Sequence, residues 1–216
     1  MASTGNGGAV FNNGVLAATG CTFATNTARG NGGAVANGLR GAASFTNCTF
    51  TGNTQTGARA GGGALNNSAT TISMTLIHCT IAGNSSADGG GGIRNHGQSF
   101  TLHNCIVAGN TSLGGPDISN GRSNFVSAGG NLSGNNTGLR WEPLASDRVG
   151  TSDAPLDPRL APLGHYGGPT PTMPPQPGSP VLDAGETNSL TNDQRGFPRS
   201  IGTAPDIGAV EGSATK

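Results

Sequence analysis

Cys21-Thr22-Phe23-Ala24-Thr25-Asn26-Thr27 decides the fold, because the phrase returns three times at nearly constant distance. It comes back as Cys48-Thr49-Phe50-Thr51-Gly52-Asn53-Thr54, as Cys79-Thr80-Ile81-Ala82-Gly83-Asn84-Ser85 and as Cys105-Ile106-Val107-Ala108-Gly109-Asn110-Thr111. The cysteines are 27, 31 and 26 residues apart, and an asparagine always follows five residues after the cysteine. A period of this length marks stacked structural repeats, each completing the hydrophobic face of its neighbour.

Working outward from the cysteine, the positions three before it are Ala18, Phe45, Leu76 and Leu102, and those five before are Leu16, Ala43, Met74 and Phe100. Two after come Phe23, Phe50, Ile81 and Val107. The residues between are mostly polar or small, and alternation with period two marks strands with one buried face. A second strand opens after a glycine pair at Gly7-Gly8, Gly32-Gly33, Gly62-Gly63 and Gly91-Gly92, where glycine suits a sharp bend. A fifth, worn copy opens at Gly114-Gly115 and places Phe125, Ser127, Gly130, Leu132 and Asn135 in the core and asparagine columns.

Strand, bend, strand, bend with like residues at like positions predicts an all-β chain, a parallel β-helix of about five turns, rungs about 4.8 Å apart. A propeller blade needs four strands in roughly 40 residues, more than these turns provide. The asparagine column is expected at a bend, in left-handed backbone, its amide bonded to backbone or to the next asparagine. The cysteines, equal in every repeat, read as free, stacked apolar side chains rather than disulfides.

The composition agrees. With 39 glycines, 13 prolines and 10 % charged residues, the chain lacks both helical periodicity and any long apolar run. Formal charge is zero and the basic residues are scattered, so neither a nucleic-acid footprint nor a membrane span is expected. Asp88 is the only acid before Asp117. The N-terminus shows no signal-peptide pattern, and the chain opens almost inside a repeat, as a piece of a longer exported protein would.

The GG(A/I) and CTFxxN phrases of residues 5–138 resemble the right-handed parallel β-helix repeats of bacterial surface proteins, including the polymorphic outer-membrane type. That resemblance implies the right-handed fold and an adhesin-like, secreted or cell-surface setting. Residues 1–138 are thus assigned to β-helix repeats and 139–216 to a Pro/Gly-rich, irregular cap of the same domain. Most prolines and acids lie in this second part, as Pro155-Leu156-Asp157-Pro158, Gly167-Gly168-Pro169-Thr170-Pro171-Thr172, Pro177-Gly178-Ser179-Pro180-Val181-Leu182-Asp183-Ala184-Gly185, Asp193-Gln194-Arg195-Gly196-Phe197-Pro198-Arg199 and Asp206-Ile207-Gly208-Ala209-Val210-Glu211. In that order the phrases are similar to the C-terminal signature of choice-of-anchor Q domain proteins.

Two functions of different class follow. One is a non-enzymatic module for adhesion or for binding a glycan or surface protein, with Trp141, Tyr166 and Arg195 as candidate contacts. The other is a hydrolase or polysaccharide lyase whose site lies where the tail meets the helix face. Its candidate catalytic groups are Asp183, Asp193, Asp206, Glu211 and His165, since paired carboxylates do general acid-base work on glycosidic bonds. Asp183 and Asp206 are the candidate ligands for Ca²⁺ or another divalent cation, which takes carboxylate oxygens. The plainer reading is a salt-bridge network in which Arg195 and Arg199 pair with these acids. His78, His96, His103 and His165 lack metal-site spacing, and His78 and His103 are expected on the solvated outside of adjacent turns. Ala9, Phe11 and Leu16 should form an open N-terminal edge that frays or stacks on a second copy.

Overall fold

The computed structural model describes residues 5–70, 73–121, 123–199 and 201–212, which form nineteen short strands and no helix. Every strand pairing is parallel, and like repeats lie in register. The chain is a parallel β-helix of four turns followed by a short fifth. A first sheet stacks Val10–Asn12, Val35–Asn37, Leu65–Asn67, Ile93–Asn95 and Ile118–Ser119. A second stacks Val15–Thr19, Ala42–Thr46, Met74–Ile77, Ser99–His103 and Asn124–Ser127. A third stacks Thr22–Ala24, Thr49–Thr51, Thr80–Ala82, Ile106–Ala108, Leu132–Ser133 and Arg148–Val149. A fourth, narrow sheet holds Thr27–Ala28, Thr54–Gln55 and Ser85–Ser86.

The predicted inward columns line the core. Leu16, Ala43, Met74, Phe100 and Phe125 are mutual register partners, as are Ala18, Phe45, Leu76, Leu102 and Ser127. Phe23 stacks on Phe50 at 4.7 Å with Phe45 edge-on to both rings, and Phe100 stacks on Phe125 at 6.0 Å. The four cysteines are free, and Cys48, Cys79 and Cys105 are fully buried.

Each early turn has four strands rather than two, because backbone breaks flank the cysteine phrase. The residue before the cysteine is left-handed in every turn, at Gly20, Asn47, His78 and Asn104, and so is the residue before the column asparagine, at Thr25, Gly52, Gly83 and Gly109. The asparagines themselves are not left-handed; the expected bend falls one residue earlier. Their amides do form the expected ladder. Asn26, Asn53 and Asn84 each donate from Nδ2 to the next asparagine's Oδ1 at 2.9 Å, and each backbone N–H joins it at 3.0 Å.

Two alignments shift by one residue. Gly90, not Gly91, matches Gly7, Gly32 and Gly62, and all four have positive φ. In the fifth turn the corner holds an extra glycine, so Leu132 pairs with Ile106, outside the core column, and Ser133 takes the inward slot opposite Val107. Asn131, not Gly130, stands at the cysteine position, where its Oδ1 accepts the Cys105 N–H at 2.9 Å. Asn135 is likewise displaced: the ladder ends on Asp117, whose Oδ1 takes both N–H groups of Asn110.

The tail closes the C-terminal end and then runs back along the helix. Trp141 packs edge-on against Phe125 at 5.4 Å, and Arg148–Val149 adds a last strand to the third sheet. Beyond it, Val181 and Ile207 bury against Ile106, Ala108 and Leu132 on the sheet's outer surface. No helix among the described residues is long and apolar enough to cross a membrane.

Candidate functional site

The outward threonines of the third sheet are the seat of the tail. Thr22 donates to the Pro171 carbonyl at 2.6 Å, Thr49 to Gln194 Oε1 at 2.6 Å, and Thr80 Oγ1 accepts the Ala209 N–H at 3.0 Å. Gln194 Nε2 also reaches Thr22 and Thr170. The Asp206-Ile207-Gly208-Ala209 turn fits because Gly208 has φ of 102° and no side chain. A Cβ there would lie 2.6 Å from Ile106 Cδ1.

This docking brings together most of the acids predicted from sequence. Asp193 Oδ1 accepts the N–H groups of Arg195 and Phe197, and its Oδ2 accepts that of Glu211. Asp206 takes the N–H of Asp183 at 2.7 Å and of Gly212 at 2.6 Å. Glu211 Oε2 takes the Asp206 N–H, and exposed Asp183 takes those of Thr203 and Ala204. The carboxylates therefore fasten main-chain loops. Burial pushes Glu211 up to about 7, with the Asp206 charge adding to the rise against the Asp206 N–H and Arg199; burial also raises Asp206.

One ion pair exists among the described residues, Arg195 with Asp193 at 2.7 Å. Arg195 also lies 4.8 Å over the Phe197 ring and donates to the Glu211 carbonyl. Arg199, the second arginine expected in a salt-bridge network, is 1 % exposed and bonds instead to Asn47 Oδ1 and the carbonyls of Gly208 and Ala209. Among the described residues no group of three or more His, Cys, Asp or Glu side chains converges as a metal needs.

The remaining candidates lie apart from this cluster. His165 is exposed, and Tyr166, also exposed, donates its hydroxyl to the Pro162 carbonyl. Trp141 is half-buried and borders a cleft of about 470 Å³ with Arg140 and Glu142. His78 corrects the expectation of a solvated ring: it is fully buried under the tail. Asn104 and Asn188 amides both point at its Nε2, at 3.0 and 2.8 Å, so the neutral ring carries its proton on Nδ1. Burial, then the nearby Arg199 and His103, lowers its pKa to about 3.

An open site lies elsewhere, on the outer surface of the first sheet. The second residues of its strands, Phe11, Ala36, Asn66, Arg94 and Ser119, form one outward column. Loops rise on both sides, carrying Asn6 and Asn31 along one rim and Asn13, Leu39, Arg40 and Ser68 along the other. The trough between them has a volume of about 610 Å³. Phe11 is 52 % exposed on its floor. Sequence reading passed over this column because its residues share no chemistry. That variability, between an inward Val, Leu or Ile and an inward asparagine, is itself the mark of the outward position. No family model matches the chain, and no curated protein or solved structure matches it either.

Proposed function

We propose that the chain is a non-catalytic binding module of a secreted or cell-surface protein, and that it takes a glycan in the trough of the first sheet. The observation that carries this reading is the trough itself: one exposed aromatic ring, Phe11, between rims that carry asparagine amides. Sugars present apolar ring faces for stacking and hydroxyls for amide hydrogen bonds. The likeness of the tail phrases to the choice-of-anchor Q signature, and of the repeats to bacterial surface β-helices, supports an exported setting. Titration of the purified chain with a glycan panel by calorimetry tests the reading. Saturable binding, weakened about fivefold by Phe11→Ala, is expected from the loss of one aromatic contact; a panel without any binder overturns it.

A hydrolase or lyase acting through the tail carboxylates is the second reading, and the raised pKa values of Glu211 and Asp206 speak for it. Against it, both side chains are 2 % exposed and both accept main-chain N–H groups. Turnover of a polysaccharide or chromogenic glycoside, with or without EDTA, that disappears in a folded Asp183→Asn or Asp206→Asn variant would replace the binding reading with this one.

A further inference from the structure

We propose that the trough selects an acidic glycan, a polymer bearing carboxylate or sulfate groups; this rests on the binding reading above and narrows its ligand. Formal neutrality conceals a division of charge along the chain. Residues 1–116 hold Arg29, Arg40, Arg59 and Arg94 against Asp88 alone, a net charge of +3. Residues 117–216 hold seven Lys or Arg against ten acids, a net charge of −3. Four of those acids, Asp117, Asp193, Asp206 and Glu211, are buried, and the trough is lined entirely by residues of the cationic half.

One of these arginines lines the trough and a second extends its outward column. Arg40 lines it directly. Arg94 continues the outward column beyond Asn66, bonding His96 through Nε at 3.1 Å and the Arg59 carbonyl through Nη1. Arg29 and Arg59 occupy matching places on the rim loops, two residues before Asn31 and Gly61, which are joined by a hydrogen bond of 3.1 Å. None of the four forms an ion pair with a carboxylate among the described residues. Partial burial and then Arg94 lower the His96 pKa, and its Nε2 accepts the Arg94 Nε–H. Asp88, which raises the His96 pKa, is the one acid of residues 1–116.

Arginine is suited to this task because its planar fork meets a carboxylate or sulfate with two parallel hydrogen bonds. Spacing sets the size of the ligand. Arg94 lies three rungs from Phe11, about 14 Å along the helix axis at the spacing of neighbouring strands. A sugar stacked on Phe11 and an acidic group at Arg94 therefore belong to different residues of one extended chain running parallel to the axis. Monosaccharides are too short to use both contacts.

The experiment compares, at pH 7 and low salt, a neutral gluco-oligosaccharide, an oligogalacturonate, a sulfated oligosaccharide and single-stranded DNA, all of similar length. The acidic oligosaccharides should bind at least tenfold tighter than the neutral one and weaken as salt is raised. Arg94→Gln and, separately, Arg40→Gln should each remove threefold or more of that preference, weakening acidic binding more than neutral binding. Phe11→Ala should weaken both. The ratio of uronate to sulfate binding identifies which acid the arginines prefer. Neutral binding as tight as acidic overturns this inference and leaves the binding module standing. No binding to any glycan overturns both, and equal binding to DNA makes the trough a general polyanion surface and overturns the glycan assignment.

Discussion

Asp117 shows how one residue can end a ladder that amides alone would leave open. Each column asparagine donates toward the C-terminal end of the helix, so the last, Asn110, needs an acceptor that donates nothing in return. Asp117 supplies it: Oδ1 takes the two N–H groups of Asn110 and Oδ2 the N–H of Asn135 at 2.7 Å. Asp147 does the same for Asn131, at 2.9 and 3.1 Å. Asp117→Ala strands three buried or half-buried donors and should cost about 3 kcal/mol in denaturant unfolding, whereas Asp117→Asn keeps one acceptor oxygen and should cost about 1 kcal/mol. His78 sets the acid limb. Its folded pKa of about 3 lies below the ordinary 6.5, so its contribution is complete above pH 6.5 and is lost as pH falls through 3. Glu211, raised from 4.5 to about 7, acts oppositely: its contribution is present below pH 4.5 and is lost as pH rises through 7. The groups facing His78 are Arg199 and His103, with Glu186 close to His103. His78→Asn suits the left-handed position, as Asn47 and Asn104 do in their turns. Between pH 7 and pH 4 this variant should lose about 1–3 kcal/mol less stability than the parent protein. Glu211→Gln should shrink the loss between pH 5 and pH 8. Thermal melts across pH read both.

At the scale of elements, the seam between tail and third sheet depends on small side chains at close approach. Gly208→Ala meets both an unfavourable φ and the Ile106 side chain, and should destabilise the protein by about 2 kcal/mol or more. Amide exchange should then speed up over residues 181–211 before it does in the first sheet; uniform acceleration would mean that tail and helix unfold as one unit. The helix was legible in the sequence because a stack repeats its chemistry: Leu16, Ala43, Met74 and Phe100 announce a column by recurring. The breaks were less so. Gly90 and the extra corner glycine before Asn131 each moved an alignment by one, since glycine carries no side chain to fix its register. A second amide ladder, Asn12 to Asn37 to Asn67 to Asn95 at 2.7–3.0 Å, escaped notice because its members follow the glycine pair at a distance that varies in the fourth turn. The tail acids were found as a group and the Arg195–Asp193 pair was expected, but the main-chain N–H groups that these acids hold were not. Whether Arg199 meets a carboxylate or main-chain carbonyls depends on how the loop folds back, and no local pattern encodes that. Nor could the trough be seen, since its rims come from separate loops.

The two ends of the described stack differ, and that difference governs how copies of this 216-residue chain can associate. At the C-terminal end Trp141 and Leu139 pack on the core, and Arg148–Val149 extends the third sheet. At the other end the first-turn strands pair on one side only among the described residues, while Val10, Leu16, Ala18, Cys21 and Phe23 are partly exposed. An unpaired edge beside apolar side chains invites pairing with another chain. Head-to-tail stacking would need the end that Trp141 covers, so it cannot propagate into a filament. Head-to-head stacking about a two-fold axis sets first-turn strands of two copies antiparallel, a favourable ladder, and closes at two. Light scattering of the 216-residue chain should therefore show a dimer growing with concentration and no larger species. Leu16→Lys places an ammonium group in the stacked core yet at a half-open position of the single chain, and should abolish the dimer without unfolding the helix. If the parent protein stays monomeric at high concentration, the first turn must fray instead, and fast amide exchange confined to residues 10–28 would reveal it.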